Sequence, residues 1–134
     1  MKEIYNLDTA VPVPHDCVIK KINVSQGFIE FIFEDDISYH DSIKAIRPDA
    51  KSLVVRYHLI EADGFEVYKW KRNRLLKNKG CFKRISGEEL IKLTQGGLEY
   101  LYHNVGFNSV ITKLFSNGYI IVDAEADYIE FEWK

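Results

Sequence analysis

The tripeptide His15-Asp16-Cys17 combines a base, a carboxylate and a thiol, the groups from which proteins build nucleophilic and metal-binding sites. Neighbouring residues of a β-strand point to opposite faces, so these three side chains cannot form a complete site by themselves. A distant histidine would have to complete it, and the chain has three: His40, His58 and His103. None of them lies in a recognisable catalytic signature, and no cysteine or histidine pair has metal-ligand spacing.

The same tripeptide also fits the entrance to a strand. Pro14 fixes an extended backbone, Asp16 suits a turn, and Cys17 is small and apolar enough to begin a buried strand. The sequence contains no phosphate-binding glycine loop, and it predicts no catalytic residue, no metal site and no cofactor. An enzyme that uses His15 and Cys17 stays open as an alternative function.

The basic residues are concentrated in one segment. Eight of the 18 lie between positions 69 and 84, where there is no acidic residue, so the remaining chain carries ten basic and twenty acidic residues. Trp70 could stack on a base while the cations contact phosphates, but lysines also protect exposed edge strands from unwanted pairing. The pI of about 6.1 argues against nucleic acid as the partner. The candidate basic patch consists of Lys69, Trp70, Lys71, Arg72, Arg74, Lys77 and Lys79.

The acidic residues are dense near the carboxyl end. In a strand over 128–133, alternation places Tyr128, Glu130 and Glu132 on one face, while the apolar residues between them face the core. An aromatic anchor on an acidic face is suited to docking a basic protein, although a solubilising face would have the same pattern. The candidate protein-binding residues are Tyr128, Glu130, Glu132, Asp123 and Glu125. The sequence thus predicts a non-enzymatic protein-interaction module, with nucleic-acid binding through 69–84 as an alternative and a homodimer left open.

Strands must position these residues, because nearly every segment alternates or is rich in Val, Ile, Phe and Tyr. Two hairpins are predicted, the first turning at Ser25-Gln26-Gly27 and the second at Ala62-Asp63-Gly64. Asn117-Gly118 predicts a type I′ turn later in the chain. The predicted strands cover residues 17–24, 28–34, 52–61, 65–71, 98–104, 108–115, 119–124 and 128–133.

A single helix interrupts this pattern. Ser86 and Glu89 form a capping box, which predicts a helix over about 87–95 that ends at Gly96-Gly97. Residues 35–51 are predicted to form a loop with one edge strand. The predicted fold class is mainly β (α+β), an antiparallel curved sheet or β-sandwich of about eight strands in a single domain, 1–134.

Residues 18–29 and 110–120 resemble each other, which fits either a duplicated hairpin or two hairpins that obey the same turn rules.

The alternation also predicts which residues form the core. The predicted core residues are Ile19, Ile22, Ile29, Phe31, Phe33, Val55, Tyr57, Leu90, Leu93, Ile111, Ile120, Val122, Ile129, Phe131 and Trp133.

The ends of the chain and its cysteines predict the compartment. No apolar stretch reaches the ~18 residues of a membrane span, and the first residues lack the apolar region of a signal peptide. Two cysteines 64 positions apart are too few for a disulfide scaffold. The sequence therefore predicts a cytoplasmic protein without a membrane partner, with two reduced thiols of which at least one is buried.

The segments "HDCVIKKINV", "GFIEFIFEDD" and "VITKLFSNGYIIVDAEADYIEFEW" resemble small uncharacterised bacterial β-rich proteins with an HDC-type motif near the amino terminus. Some of those families are similar to immunity proteins of toxin systems. The resemblance implies a cytosolic binding protein that neutralises a toxin, and it implies no catalytic residues.

Overall fold

The computed structural model describes residues 1–25, 27–73, 75 and 79–134. These residues form nine β-strands, two short α-helices and one 3-10 turn, Thr94–Gly96. The helices are α1 (Asp41–Ile46) and α2 (Gly87–Leu93). The strands are β1 (Lys2–Asn6), β2 (Cys17–Ser25), β3 (Phe28–Phe33), β4 (Leu53–Leu59), β5 (Phe65–Arg72), β6 (Gly80–Ile85), β7 (Leu98–Gly106), β8 (Ser109–Phe115) and β9 (Tyr119–Trp133).

All the strand pairings are antiparallel, and six of the strands close on themselves. Their order is β4-β3-β2-β7-β8-β9, and β9 pairs again with β4 to complete the ring. The inner faces of the strands form one apolar core, in which Phe31, Tyr57, Tyr100 and Phe131 are fully buried. The prediction of a mainly antiparallel β fold with a strongly curved sheet is therefore confirmed.

The long strand β9 ties the whole sheet together. Its first half pairs with β8 on one edge and β5 on the other, and its second half pairs with β1 and β4. The register against β4 shifts between His58 and Leu59, which face Tyr128 and Ala126, so Asp127 is an extra residue. This bulge reverses the alternation, and the inward residues change from even to odd numbers along β9. The outer face consequently runs unbroken from Tyr119 to Glu132.

Strands β5 and β6 form a ribbon at the edge of the sheet. Their pairing runs from Val67–Ile85 to Arg72–Gly80, whereas β5 pairs with β9 only as far as Lys69. The predicted hairpin between 52–61 and 65–71 is wrong, since β4 and β5 both pair with β9 and not with each other. The Asp63-Gly64 turn is present, but it joins β4 to β5, which pair with different parts of β9.

A chain of polar groups crosses the core of the ring. The Tyr57 hydroxyl lies 2.5 Å from that of Tyr100 and 2.7 Å from Thr112 Oγ1, and Tyr100 continues to His103 Nδ1 at 2.5 Å. The other ring nitrogen of His103 lies 3.3 Å from the carbonyl oxygen of Val11. Each buried hydroxyl group of this polar network has a hydrogen-bond partner. These hydrogen bonds offset the cost of removing the hydroxyl groups from water.

The helix and core predictions are largely confirmed. Ser86 accepts a hydrogen bond from the amide of Glu89 at 3.1 Å, as the capping box predicts, and the helix with its 3-10 turn ends at Gly96. Ile111 is an error in the predicted core, since its side chain is 42 % exposed, and Leu93 is only partly buried. Strands β1 and β6 were not predicted, and residues 35–51 contain helix α1 and no strand, so the predicted edge strand there is wrong. None of the helices in the described ranges is long and apolar enough to cross a membrane.

Candidate functional site

The structure buries Cys17 of the His15-Asp16-Cys17 tripeptide and leaves the other two residues exposed, with His15 Nε2 3.4 Å from Asp16 Oδ2. Cys17 is fully buried, and burial raises the pKa of its thiol to about 12, with the nearby Glu34 carboxylate adding to the shift. Its sulfur donates to the carbonyl oxygen of His15 at 3.9 Å, while the imidazole of His15 lies 2.5 Å from the carbonyl oxygen of Leu101. A protonated, buried thiol is a poor nucleophile, and none of the hydrogen bonds among the described residues joins Cys17 to an imidazole. The tripeptide therefore has the geometry of a strand entrance.

Asp16 supplies the turn that the strand entrance requires. Its φ of 67° lies in the left-handed region, which aspartate tolerates better than most residues. Its amide donates to the carbonyl oxygen of Tyr100 at 2.9 Å, and strand β2 begins at the next residue. Among the described residues, no group of three or more histidine, cysteine and acidic side chains is arranged to hold a metal ion.

The second half of the β9 outer face carries an ion cluster around Arg56, which we call the Arg56 cluster. The guanidinium of Arg56 donates to Glu30 at 2.7 Å, to Glu130 at 2.6 Å and to Glu132 at 2.9 Å. The four side chains are only 15 to 21 % exposed. Two of the proposed docking carboxylates, Glu130 and Glu132, are thus held by one internal cation.

The pKa shifts of the Arg56 cluster show that the ionised form is favoured. The hydrogen bond from Arg56 lowers the pKa of Glu132, with the charges of Arg56, Lys2 and Lys134 contributing. Burial acts to raise the pKa of Glu30, but the hydrogen bonds from Asn23 and Arg56 outweigh it and the pKa is lowered. The folded state therefore favours the ionised form of Glu30 and Glu132 more than the unfolded state does.

The other proposed docking residues lie on the same outer face. Tyr128 is partly buried and stacks on His58, with ring centroids 4.5 Å apart and an interplanar angle of 9°. His58 Nδ1 also lies 2.6 Å from Asp127. Asp123 and Glu125 are exposed on the first half of β9. Tyr128, Glu130 and Glu132 share one face, as the alternation predicts. The bulge at Asp127, which was not predicted, brings Asp123 and Glu125 to the same face, and Tyr128 is engaged within that face.

The predicted basic patch is divided between the two faces of the β5–β6 ribbon. Val67 is buried, so alternation places Lys69 and Lys71 on its side of the ribbon and Trp70 and Arg72 on the other. Lys79 lines a groove with Lys71, Cys81 and Lys83 on the Val67 side. Arg74 and Lys77 lie outside the described residues. The split means that Trp70 does not share a face with the lysines that were expected to surround it.

Four aromatic side chains lie in one row across the outer faces of four neighbouring strands. Phe82 of β6 pairs with Trp70 of β5, and Phe115 of β8 pairs with Tyr119 of β9. The last β5–β9 pair is Lys69–Ile120, so the next register position places Trp70 beside Tyr119. We call Phe82, Trp70, Tyr119 and Phe115 the aromatic row. Each of the four side chains is 38 to 43 % exposed.

Edge-to-face contacts and cations surround the aromatic row. The rings of Trp70 and Phe82 are 5.2 Å apart at 69°, and those of Phe115 and Tyr119 are 5.4 Å apart at 71°. Lys113 Nζ lies 4.1 Å from the ring centroid of Tyr119 and 5.7 Å from that of Tyr102. The row lines a groove of about 660 Å³ whose other described lining residues include Arg72 and Lys113 and no acid. The groove is apolar with positive charge at its margin.

Gly80 allows the indole of Trp70 to lie across the ribbon. A Cβ at Gly80 would come within 2.6 Å of both Trp70 Cζ2 and the carbonyl oxygen of Lys71. Only glycine accommodates such a close approach of a ring and a backbone oxygen. The sequence therefore contains a specific residue that shapes this end of the groove.

The aromatic row was not predicted from the sequence, although part of its signal was present. Phe115 and Tyr119 lie four positions apart on either side of the predicted turn. A two-residue type I′ turn would have paired Ser116 with Tyr119, whereas the three-residue loop in the structure pairs Phe115 with Tyr119. The pairing of β5 with the first half of β9 has no local signal, and it is this pairing that brings Trp70 and Phe82 to the other two rings. In comparisons with known proteins, the chain matches no family model, no curated protein and no solved structure.

Proposed function

We propose that this protein is a non-enzymatic binding module that docks a protein partner on the aromatic row. The observation that carries the proposal is the alignment of Phe82, Trp70, Tyr119 and Phe115, each substantially exposed, across four paired strands. Large aromatic residues dominate the energy of many protein interfaces because they bury much apolar area with little loss of side-chain entropy. A cluster of this kind has no role in the core, so its exposure points to a partner.

Charge favours a protein over a nucleic acid as the occupant. Glu66, Asp123 and Glu125 lie on the same outer face as the aromatic row and would repel a phosphate backbone. The protein as a whole has a net charge of −2. A rim with both signs of charge around an aromatic centre is instead the usual composition of a protein interface.

We locate the docking surface on the first half of the β9 outer face and not on the Arg56 cluster. A partner that used Glu130 and Glu132 would have to compete with the hydrogen bonds of Arg56, at 2.6 and 2.9 Å. Among the described residues, the rings of the aromatic row make edge-to-face contacts and one cation contact, from Lys113 to Tyr119, but no charged hydrogen bonds that a partner would have to replace. Binding there therefore costs less reorganisation.

The experiment is affinity capture from the native cell with three baits: the wild type, Trp70→Ala/Tyr119→Ala and Glu130→Gln/Glu132→Gln. Thermal unfolding first establishes that each bait is folded. We expect a specific partner with the wild type and the glutamine variant and its loss with the alanine variant. If the partner were lost only with the glutamine variant, the docking surface would be the second half of β9, which carries Glu130 and Glu132.

The resemblance to toxin-immunity proteins supports a narrower version of this proposal. We propose that the partner is a bacterial toxin domain and that the module neutralises it in the cytoplasm, where Cys17 and Cys81 remain free thiols. Co-expression with the captured partner tests it. Growth should be protected by the wild type and not by Trp70→Ala/Tyr119→Ala, whereas a partner that is harmless when expressed alone would contradict the toxin assignment.

A further inference from the structure

We propose that an acidic, extended segment of the partner pairs with the free edge of β6 and lays alternate side chains beside the aromatic row. This proposal rests on the proposed protein-binding function and specifies the chemistry of the bound segment. Among residues 1–25, 27–73, 75 and 79–134, β6 pairs only with β5, so its other edge has no strand beside it. A free edge is a template for strand addition.

The hydrogen-bonding pattern shows which backbone groups of β6 face that edge. The amide of Asn73 donates to the carbonyl oxygen of Lys79 at 2.7 Å, which makes 73–79 a hydrogen-bonded pair. Bonded and non-bonded pairs alternate in an antiparallel ladder, so Lys71–Cys81 and Lys69–Lys83 are the next bonded pairs. The N–H and C=O groups of the intervening residues therefore point away from β5. These residues are Gly80, Phe82 and Arg84.

The pairing on the other edge of β5 independently shows which residues direct their backbone groups toward β6. The amide of Glu125 donates to the carbonyl oxygen of Gly64 at 2.8 Å, so even-numbered residues near β5 direct their backbone groups toward β9. Odd-numbered residues of β5 consequently face β6, as the Asn73–Lys79 bond requires. Two separate hydrogen bonds thus lead to the same assignment. The backbone N–H and C=O groups of Gly80, Phe82 and Arg84 point away from β5, toward the free edge.

The charge of the ribbon selects an acidic segment. Its described cations are Lys69, Lys71, Arg72, Lys79, Lys83 and Arg84, against the single acid Glu66. Glu66 lies 3.8 Å from Arg84, at the base of the ribbon. Cations on an edge strand repel another copy of the same edge but attract a strand of opposite charge. The features that prevent self-pairing therefore favour an acidic strand.

The two faces of the ribbon specify the side-chain pattern of that strand. On the outer face, a residue beside Phe82 would extend the aromatic row, so an apolar or aromatic side chain fits there. On the opposite face, Lys71 and Lys83 flank the exposed Cys81, so acidic side chains fit there. Apolar residues that alternate with glutamate or aspartate satisfy both faces.

The probe is a capped heptapeptide that alternates glutamate with valine and phenylalanine, and its control is the same peptide with every backbone nitrogen methylated. The control keeps the charges and side chains but cannot donate ladder hydrogen bonds. Binding is followed by NMR, with amide hydrogen exchange read at single residues. We expect the amides of Gly80, Phe82 and Arg84 to exchange about tenfold more slowly with the probe, and those of Cys81 and Lys83 to be unchanged. The control should give no protection.

A charge-reversal pair tests the acidic character of the segment. Lys71→Glu/Lys83→Glu should weaken binding of the probe about tenfold or more, since like charges would then face each other. Lys44→Glu/Lys51→Glu, on α1 and before β4, makes the same change in net charge and should leave the affinity within about twofold.

Three results would overturn strand pairing. The first is chemical-shift change at Trp70 and Tyr119 without protection of the outward amides, which would leave the docking surface intact but without strand addition. The second is equal binding of the methylated control. The third is binding of a ten-residue oligothymidylate in place of the peptide, which would also overturn the proposed protein partner and assign the groove to single-stranded nucleic acid.

Discussion

The two halves of β9 present the same outer face to solvent but use it in opposite ways. In the second half, Arg56 donates hydrogen bonds to Glu130 and Glu132, and also to Glu30 of β3. The charges of these side chains are therefore paired within the protein. In the first half, Tyr119 belongs to the aromatic row, whose rings remain 38 to 43 % exposed. The half that is richest in charge is therefore engaged inside the fold, and the half that carries part of the aromatic row is the one that we propose for binding.

Local charge density therefore does not measure the charge available to a partner. One arginine on β4, 74 positions before Glu130, is enough to engage three carboxylates from two other strands. Exposed aromatic area cannot be neutralised in this way, because it is removed only when another surface covers it.

Loss of Arg56 should have the largest effect on stability. Arg56→Met leaves Glu30, Glu130 and Glu132 close together without a cation, and we expect the free energy of unfolding to fall by about 3 kcal/mol. Urea unfolding measures the change. The matched control combines Arg56→Met with glutamine at all three carboxylates and should recover most of the loss, whereas an unchanged midpoint for Arg56→Met would mean that the cluster is not structural.

A methyl group at Gly80 should be costly because it removes space that Trp70 occupies. Gly80→Ala places a Cβ 2.6 Å from the Lys71 carbonyl oxygen and the indole, so we expect a loss of about 2 kcal/mol. The Trp70 indole N–H resonance should also move. Gly106→Ala is the control, since a Cβ there meets nothing within 4 Å, and equal effects of the two changes would contradict the described packing.

The cost of Arg56→Met should depend on pH. The folded-state pKa values of Glu30 and Glu132 are lowered, so their contribution to stability is complete above the unfolded-state pKa and is lost as the pH falls through the folded-state values. In Arg56→Met, mutual repulsion raises those pKa values, and protonation then relieves the strain. The difference between the two proteins should narrow by about 1.5 kcal/mol between pH 7 and pH 3, measured by urea unfolding. A constant difference would contradict the electrostatic origin of the effect.

The smallest expected effect is at the margin of the groove. Lys113→Met removes the cation 4.1 Å from the Tyr119 ring but keeps the aliphatic stem, so stability should fall by only about 0.5 kcal/mol. Thermal unfolding at low and high salt separates this loss from packing, since added salt should reduce the difference. A loss as large as that of Arg56→Met would show that the aromatic half is also structural.

The elements with local signals were predictable from the sequence. The N-cap at Ser86 and the turn at Asn117-Gly118 depend on side-chain chemistry within a few residues. Ser86 accepts from the amide of Glu89, and Asn117 and Gly118 both have positive φ. The loop nevertheless has three residues between Phe115 and Tyr119 and not the two of the predicted type I′ turn. The second hairpin was wrong because its turn signal is local, whereas the choice of β9 as the common partner of β4 and β5 depends on pairing between residues more than 50 positions apart. Such pairing leaves no mark in a single short segment.

The Ile111 error has a similar physical origin. In β8 the inward residues are Val110, Thr112 and Leu114, and the polar Thr112 is satisfied by the hydroxyl of Tyr57 at 2.7 Å. The alternation of polarity is therefore inverted at this point, and Ile111 faces outward. The candidate site was missed because strand register assembles it. Its four rings come from four strands, and only Phe115 and Tyr119 are close in sequence, four positions apart.

Site-specific photo-cross-linking in the native cell, with benzoylphenylalanine at Tyr119 or at Tyr128, tests which half of β9 contacts the partner. Both are tyrosines on the outer face of the same strand, one in the aromatic row and one stacked on His58 beside the Arg56 cluster. We predict a partner adduct from position 119 and none from position 128, at equal expression and stability. An adduct from position 128 with none from position 119 would contradict the assignment of binding to the aromatic half.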